Sequence, residues 1–417
     1  MTTQSPFDTS QRIFNNRDVL DVDNYQPDEL IERDEQIEEY ASALEPILNG
    51  WKPNNIFIYG KTGTGKTATT YYMLDWLDHD ITEQNGDSDE EIPLEVIYLN
   101  CEALTSSYQV AIELLNELRD ESHQVATRGH APSDIYKWLF EAIDDRDGVV
   151  LMVLDEIDHV GEDDTILYQL ARAESTNNLE HSNLGIIGIS NDFSFRDNLS
   201  AKVKDSLCEK EILFPAYNAT ELTEILKQRA KKGLYDEAYD MGVITRSAAF
   251  AARDKGSARQ AIDILRNAGD FARKEKADKI TEDLVKEAKG VVERGRVSEM
   301  IDGLSPHGKY VLHALALAKQ DGNTPIRTND LYDMYRIVCH QSNTDTLSVR
   351  AVRDHLSELD LIGIAKEEVR NAGRAGGKYK QFDLDVKMEA VIEAFQEDEH
   401  VRTADDGSVQ STLEQRK

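Results

Sequence analysis

Cysteine is scarce in this chain: the three present, Cys101, Cys208 and Cys339, lie far apart and belong to no CxxC pair or histidine-rich cluster. That spacing excludes a disulfide framework and a cysteine-based zinc site, and it fits a reducing compartment. Long apolar stretches are also missing. The longest uninterrupted run, Val149 to Leu154, is far shorter than the roughly 20 residues that span a bilayer, and Met1 to Ser10 holds no apolar leader core. The expectation is a cytoplasmic protein with no membrane partner. Internal repeats and low-complexity tracts are absent as well, which disfavours a solenoid.

Basic charge is the third scarcity. The 417 residues hold 47 Lys plus Arg against 79 Asp plus Glu, a formal net charge of −32. Taken alone, this argues against a nucleic-acid partner. The excess is uneven, however: residues 1–299 carry 59 acids and 32 bases, whereas residues 300–387 carry 12 of each. A surface so acidic stays soluble where salt screens charge strongly, so the composition suggests a salt-loving cell.

The most informative stretch present is Gly60-Lys61-Thr62-Gly63-Thr64-Gly65-Lys66-Thr67, between the apolar run Asn55 to Tyr59 and a helix-compatible segment beginning at Thr67. Glycines there let backbone N–H groups curl around phosphate oxygens, and the helix that follows offers its positive N-terminal end. Lys66 is placed to reach the β and γ phosphates, and the Thr67 hydroxyl to ligate Mg²⁺. A glycine-rich turn without a ligand is the competing reading, and the full eight-residue pattern in a strand-to-helix setting argues against it.

A length of 417 residues suggests two or three domains. Apolar runs alternate with helical patterns up to about residue 217, as in a doubly wound α/β domain with a parallel sheet. Strands are predicted at Ile56 to Tyr59, Leu94 to Leu99, Val149 to Leu154, Leu184 to Ile189 and Glu211 to Phe214, with helices such as Tyr108 to Leu118 and Ser133 to Ile143 between them. The acidic segment Glu83 to Glu91 reads as a surface loop. Residues 218–298 read as a helical lid, with helices Glu221 to Lys232, Ile244 to Ala252, Ala258 to Lys274 and Ile280 to Arg294. Residues 299–390 hold helices and then a hairpin with its tip at Asn371 to Lys378. The remainder, 391–417, reads as an acidic, disordered tail.

A second chemical element is Val149 to Asp158. An all-apolar strand implies burial on both faces, so Asp155 and Glu156 emerge at its carboxyl end, where open parallel sheets bind ligands. Asp155 would hold Mg²⁺ through water, and Glu156 would orient or deprotonate the attacking water. Asn191, just past the next strand, is either a turn residue or a polar group reaching the γ-phosphate.

These motifs followed by a lid resemble the AAA+ ATPases. From Phe14 to Leu384 the chain is similar to the archaeal initiator family related to origin-recognition-complex and Cdc-type replication proteins. The stretches that carry the likeness are Phe14-Asn15-Asn16-Arg17 through Ile31 to Gln36, the phosphate loop, Leu154 to Asp158, Phe214-Pro215-Ala216-Tyr217, Ile225 to Arg229 and Gly256-Ser257-Ala258-Arg259. The resemblance implies ATP or ADP with Mg²⁺ as cofactor. It also implies that Tyr217 and Arg229 contact the nucleotide from the lid side, and that a lid helix directs Arg259 at the phosphates. Without it, Tyr217 reads as a packed aromatic and both arginines as solvated charges.

The same resemblance makes the C-terminal region a winged-helix DNA-binding domain. There Leu347 to Leu359 is amphipathic, with Ser348, Arg350, Arg353 and His355 polar, and Arg374 and Lys378 lie at the hairpin tip flanked by strands Ile362 to Lys366 and Tyr379 to Leu384. Within Leu104 to Gly148, Arg128, His130 and Lys137 are weaker DNA-contact candidates. The implied partners are double-stranded origin DNA, the replicative helicase and other initiator copies, in a cytoplasmic, nucleoid-associated setting. One departure from the family pattern stands out. Lys202 and Lys210 occupy positions where relatives carry arginine, and lysine lacks the planar fork for bidentate phosphoryl contact, which puts trans-activated hydrolysis in doubt. A protein-remodelling AAA+ ATPase and an ATP-sensing transcription regulator are the alternative functions.

Overall fold

The computed structural model describes residues 12–397, apart from residues 23, 88–91, 162, 174, 194, 208 and 372–377. The chain divides into two units, Met1–Val285 and Lys286–Lys417. In the first, five strands form a parallel sheet: β1 (Ile56–Tyr59), β2 (Leu94–Asn100), β3 (Val149–Asp155), β4 (Asn183–Ser190) and β5 (Lys210–Leu213), in the order β2-β3-β4-β1-β5. Every residue of β3 is buried. Its side chains divide between the two faces, with Val150, Met152 and Leu154 entering one core and Val149, Leu151 and Val153 the other, which is why the strand reads as unbroken apolar sequence.

Register decides what the sheet can present. Tyr59 at the end of β1 lies opposite Ser190 on β4, and Leu154 of β3 lies opposite Gly188 of β4, so the carboxyl ends of β1, β3 and β4 fall together. Asn55, buried just before β1, helps to pin this arrangement. Its side chain accepts from the Ile186 N–H at 3.1 Å and donates to the Ser206 carbonyl at 2.8 Å.

The lid part of this unit comprises helices Ala219–Gly233, Met241–Asp254 and Ala258–Lys274. A capping box between Asn218 and Glu221 starts the first of them. The next helix, Glu282–Asp302, continues beyond Arg294, where the sequence pattern ends it, and past residue 298. Gly290 and Gly295 weaken the pattern there, yet burial of Val297 and Ile301 in the second unit's core outweighs a glycine penalty of about 1 kcal/mol. A second difference concerns Glu83 to Glu91: residues through Asp87 complete the helix Lys66–Asp87, and residues 88–91 lie outside the described residues. Glu83 sits one turn from His79, 3.7 Å away, a helical pairing that a polar-loop reading overlooks.

The second unit packs helices Pro306–Gln320, Thr328–Gln341 and Val349–Leu361 against an antiparallel sheet of β6 (Ile326–Arg327), β8 (Lys378–Leu384) and β7 (Ala365–Asn371), followed by Met388–Glu397. β7 begins three residues later than the predicted Ile362. The intervening residues close the preceding helix: Gly363 adopts φ 77°, its N–H bonds the Asp360 carbonyl, and the Ile364 N–H bonds the Leu359 carbonyl. Removing the Asn55 side chain orphans a buried backbone N–H and a half-buried carbonyl, so Asn55→Ala should lower the stability of the first unit by about 2 kcal/mol, read as the shift in its urea unfolding curve.

Candidate functional site

The loop after β1 folds tightly. Gly63 and Gly65 have φ of 79° and 93°, conformations that favour glycine, and a Cβ on either would collide, at Gly63 with the Ser257 hydroxyl and at Gly65 with the Tyr217 hydroxyl. Thr62 is exposed on the loop, whereas Thr64 is buried and donates its hydroxyl to the Lys61 carbonyl at 2.8 Å. Lys66 opens the helix that follows. Its buried ammonium donates to the carbonyls of Gly60 at 2.7 Å and Lys61 at 3.0 Å and to Asn191 Oδ1 at 2.7 Å. Burial pulls its pKa down to about 8, against the opposing pull of Asp155, Asp158 and Glu156.

The acidic end of β3 meets this loop. Thr67 Oγ1 donates to Asp155 Oδ2 at 2.8 Å, and the Tyr98 hydroxyl donates to the same oxygen. Asn191 joins the two halves of the site, because its Nδ2 donates to Glu156 Oε1 at 3.1 Å while its Oδ1 holds Lys66. Its backbone N–H donates to Asp158 Oδ1 at 3.1 Å. Glu156 sits in the left-handed region at φ 56°, ψ 37°. Burial raises its pKa first, with the charges of Glu102 and Asp155 adding to the effect. Lys66, Thr67, Asp155, Glu156 and Asn191, five residues from three strand ends, therefore form one connected network.

The residues assigned to the lid side divide. Tyr217 is buried with its hydroxyl against Gly65. The Ala258 N–H donates to the Gly63 carbonyl at 2.9 Å, so the helix Ala258–Lys274 starts against the loop and carries exposed Arg259 in its first turn. Arg229 lies elsewhere: it donates to the Val19 carbonyl at 3.0 Å and stacks over the Tyr25 ring, tying the lid to the N-terminal segment.

Sequence reasoning missed Arg33 as a site residue. Its guanidinium, almost fully buried, donates to the Thr64 carbonyl at 3.0 and 2.7 Å and the Pro215 carbonyl at 2.9 Å, and lies 3.6 Å from the centre of the Tyr217 ring. One cation thereby joins the phosphate loop to the hinge leading into the lid. A lone arginine before a helix gives no signal of this. Tyr98 was missed too, being read only as strand.

Lys202 is exposed, with its ammonium 5.9 Å from the Tyr168 ring, and Lys210 starts β5 at the end of the sheet remote from the loop. Nearby Arg196 pairs with Glu211 at 2.6 Å. In the second unit, Ser348 caps the helix Val349–Leu361 by accepting the Ala351 N–H, and Arg350 and Arg353 are exposed on its first turns. Arg374 lies outside the described residues, as does the side chain of Lys378. In the first unit, Arg128 and Lys137 are exposed, and the His130 ring meets Trp138 edge-on.

Family models match along the chain: an AAA domain over residues 52–191, a Cdc6 AAA+ ATPase-type lid domain over 223–290, and a CDC6 C-terminal winged-helix domain over 299–394. The chain is 46% identical over 407 residues to ORC1-type DNA replication protein 11 of Haloarcula marismortui, covering 98% of this chain and 95% of that one. The chain belongs to the ORC1-type DNA replication protein family. ORC1-type DNA replication protein 8 of Halobacterium salinarum is 45% identical, with 97% of this chain and 100% of the relative covered. Among solved structures, the Aeropyrum pernix ORC1 protein in complex with DNA matches with a TM-score of 0.78 and 32% identity, over 94% of this chain and 98% of that one. Membership confirms the expected architecture of AAA+ parallel-sheet domain, lid and winged helix, and the AAA+ ATPase fold implies nucleotide binding. No helix among the described residues is long and apolar enough to cross a membrane.

The donors present fit a magnesium nucleotide: a glycine loop at a helix N-terminus, a buried ammonium, and an oxygen-only pair in Thr67 and Asp155 suited to a hard cation. Because the folded pKa of Glu156 is raised, its ionised form costs stability. That cost is absent below its unfolded value of 4.5 and complete above the folded one. Glu156→Gln should therefore raise the melting temperature of the nucleotide-free protein at neutral pH by about 2 °C. The gain should vanish in acid, and single-turnover ATP hydrolysis should slow on the order of a hundredfold.

Proposed function

We propose that the chain is an ATP-dependent DNA replication initiator that binds double-stranded origin DNA through its winged-helix unit, with ATP or ADP acting as the switch. The observation that carries this is the joining of a connected phosphate-loop site to a winged helix, on a chain more than two-fifths identical to ORC1-type replication proteins over nearly its full length.

Lys66 and the loop N–H groups would bind the phosphates, and Thr67 and Asp155 would hold Mg²⁺, which neutralises charge on the phosphate oxygens. Glu156, oriented by Asn191, would take a proton from the attacking water. Tyr217, Arg33 and the Gly63 contact to the lid helix lie where a change at the phosphates would alter the fit between loop and lid. Arg259 would read the phosphates from the lid, and Arg229 would tie the lid to the N-terminal segment. Recruitment of the replicative helicase, assembly with other copies and residence at the nucleoid in the cytoplasm belong to the same proposal.

DNA binding by a chain of net charge −32 needs strong screening. At about 1 M salt the screening length falls to roughly 3 Å, which removes long-range repulsion but spares groups in contact. Cognate-site binding should thus persist near molar potassium chloride with a shallow salt slope. Arg350→Ala with Arg353→Ala, and separately Arg374→Ala with Lys378→Ala, should each weaken binding by about tenfold or more while leaving ATP affinity unchanged. Genome-wide footprinting of the tagged protein tests the function directly: occupancy centred on mapped replication starts is expected, and occupancy confined to promoters would overturn the assignment.

A further inference from the structure

Asp155 has a second hydroxyl partner that the phosphate-loop chemistry does not require. Tyr98 on β2 lies opposite Val153 and leans along the strand to Asp155, two residues on, where its hydroxyl meets Oδ2. Its ring stacks on Tyr71, with centroids 4.5 Å apart and planes 17° from parallel. Tyr71 is one helical turn after Thr67, so one face of the helix Lys66–Asp87 supplies both the Thr67 hydroxyl and the support for Tyr98. Asp155 itself is 5% exposed, and its Oδ1 accepts the Glu156 N–H at 2.9 Å. Its carboxylate is therefore held from three directions, by β2, by the loop helix and by its own backbone.

We infer that Tyr98 is a positioning residue for magnesium, fixing the Asp155 carboxylate so that Asp155 and the Thr67 oxygen face the cation together. This rests on reading the loop site as a magnesium nucleotide site. Two effects of the phenol oppose one another. Its proton withdraws electron density from Oδ2, which weakens attraction for a cation, while its fixed position removes rotation of the carboxylate. The second effect is the larger, because removing partners of ligating groups typically lowers metal affinity about 10- to 100-fold. Thr67 adds to the same logic: its proton is committed to Asp155, which leaves the oxygen lone pairs directed away from the carboxylate.

The test is a titration of the full chain with Mg²⁺ in the presence of a fluorescent ADP, comparing the parent with Tyr98→Phe, together with ADP binding in EDTA. The phenylalanine keeps the ring on Tyr71. The Mg²⁺ concentration for half-maximal ADP retention should rise about tenfold in the variant, with ADP affinity in EDTA unchanged. Tyr71→Phe, which keeps the stack and the Tyr98 hydroxyl, should move the Mg²⁺ midpoint by less than about threefold. Superimposable Mg²⁺ curves for parent and Tyr98→Phe would overturn the inference, as would an equal shift in Tyr71→Phe. A parent whose ADP binding ignores Mg²⁺ would instead overturn the reading of the site on which it rests.

Discussion

A buried ammonium is costly unless hydrogen-bonded, and the Lys66 ammonium, in a residue only 4% exposed, constrains everything around it. Its three donors go to Gly60, Lys61 and Asn191, groups that come from the ends of two neighbouring strands. Asn191 reaches it only because β4 pairs with β1 in the observed register, and Glu156 reaches Asn191 only because β3 pairs with the other edge of β4. The strand order thus sets the charge balance of the site. A slip of one residue at β4 would turn its side chains to opposite faces and remove the Lys66 partner.

Much of this was legible in the sequence, for physical reasons that can be stated. Strands buried on both faces read as continuous apolar runs, so β1 was predicted to the residue and β3 and β4 to within one residue at either end; the edge strand β2, only partly buried, was also predicted to within one residue. The phosphate loop is local in sequence, and the Asp155-Glu156 pair follows an unmistakable buried strand. Contacts between distant segments were not legible. Arg33 meets a loop 31 residues away and a hinge 182 residues away, and Tyr98 meets Asp155 across 57 residues. Neither side chain has a local pattern that marks it. The late start of β7 is a different kind of miss, since residues with high strand propensity were taken up by a helix terminus.

Charge also distributes itself with purpose in the second unit. On the hairpin, Lys366 and Arg370 both approach Glu368, and Lys380 pairs with Glu367 at 2.7 Å. The Lys380–Glu367 pair links the two strands, the pairs on Glu368 lie along β7 itself, and together they cancel one another's long-range field. Exposed Arg350 and Arg353 stand instead at the start of a helix, where the positive end of the backbone dipole adds to their attraction for an anion. The neutral overall composition of residues 300–387 therefore conceals a local polarity along one helix.

The left-handed backbone at Glu156 has an implication for how this site tolerates change. A non-glycine residue held there stores on the order of 1 kcal/mol of strain, and ionisation of a half-buried carboxyl adds to the penalty. Glycine would relieve both at a stroke. A search among random variants for greater heat resistance would accordingly favour losing this carboxylate, and, under the catalytic role proposed for Glu156, the variants it retained would be sturdier proteins with an idle site. The position is one where robustness and reactivity are in direct competition, and the retained glutamate marks which of them has prevailed.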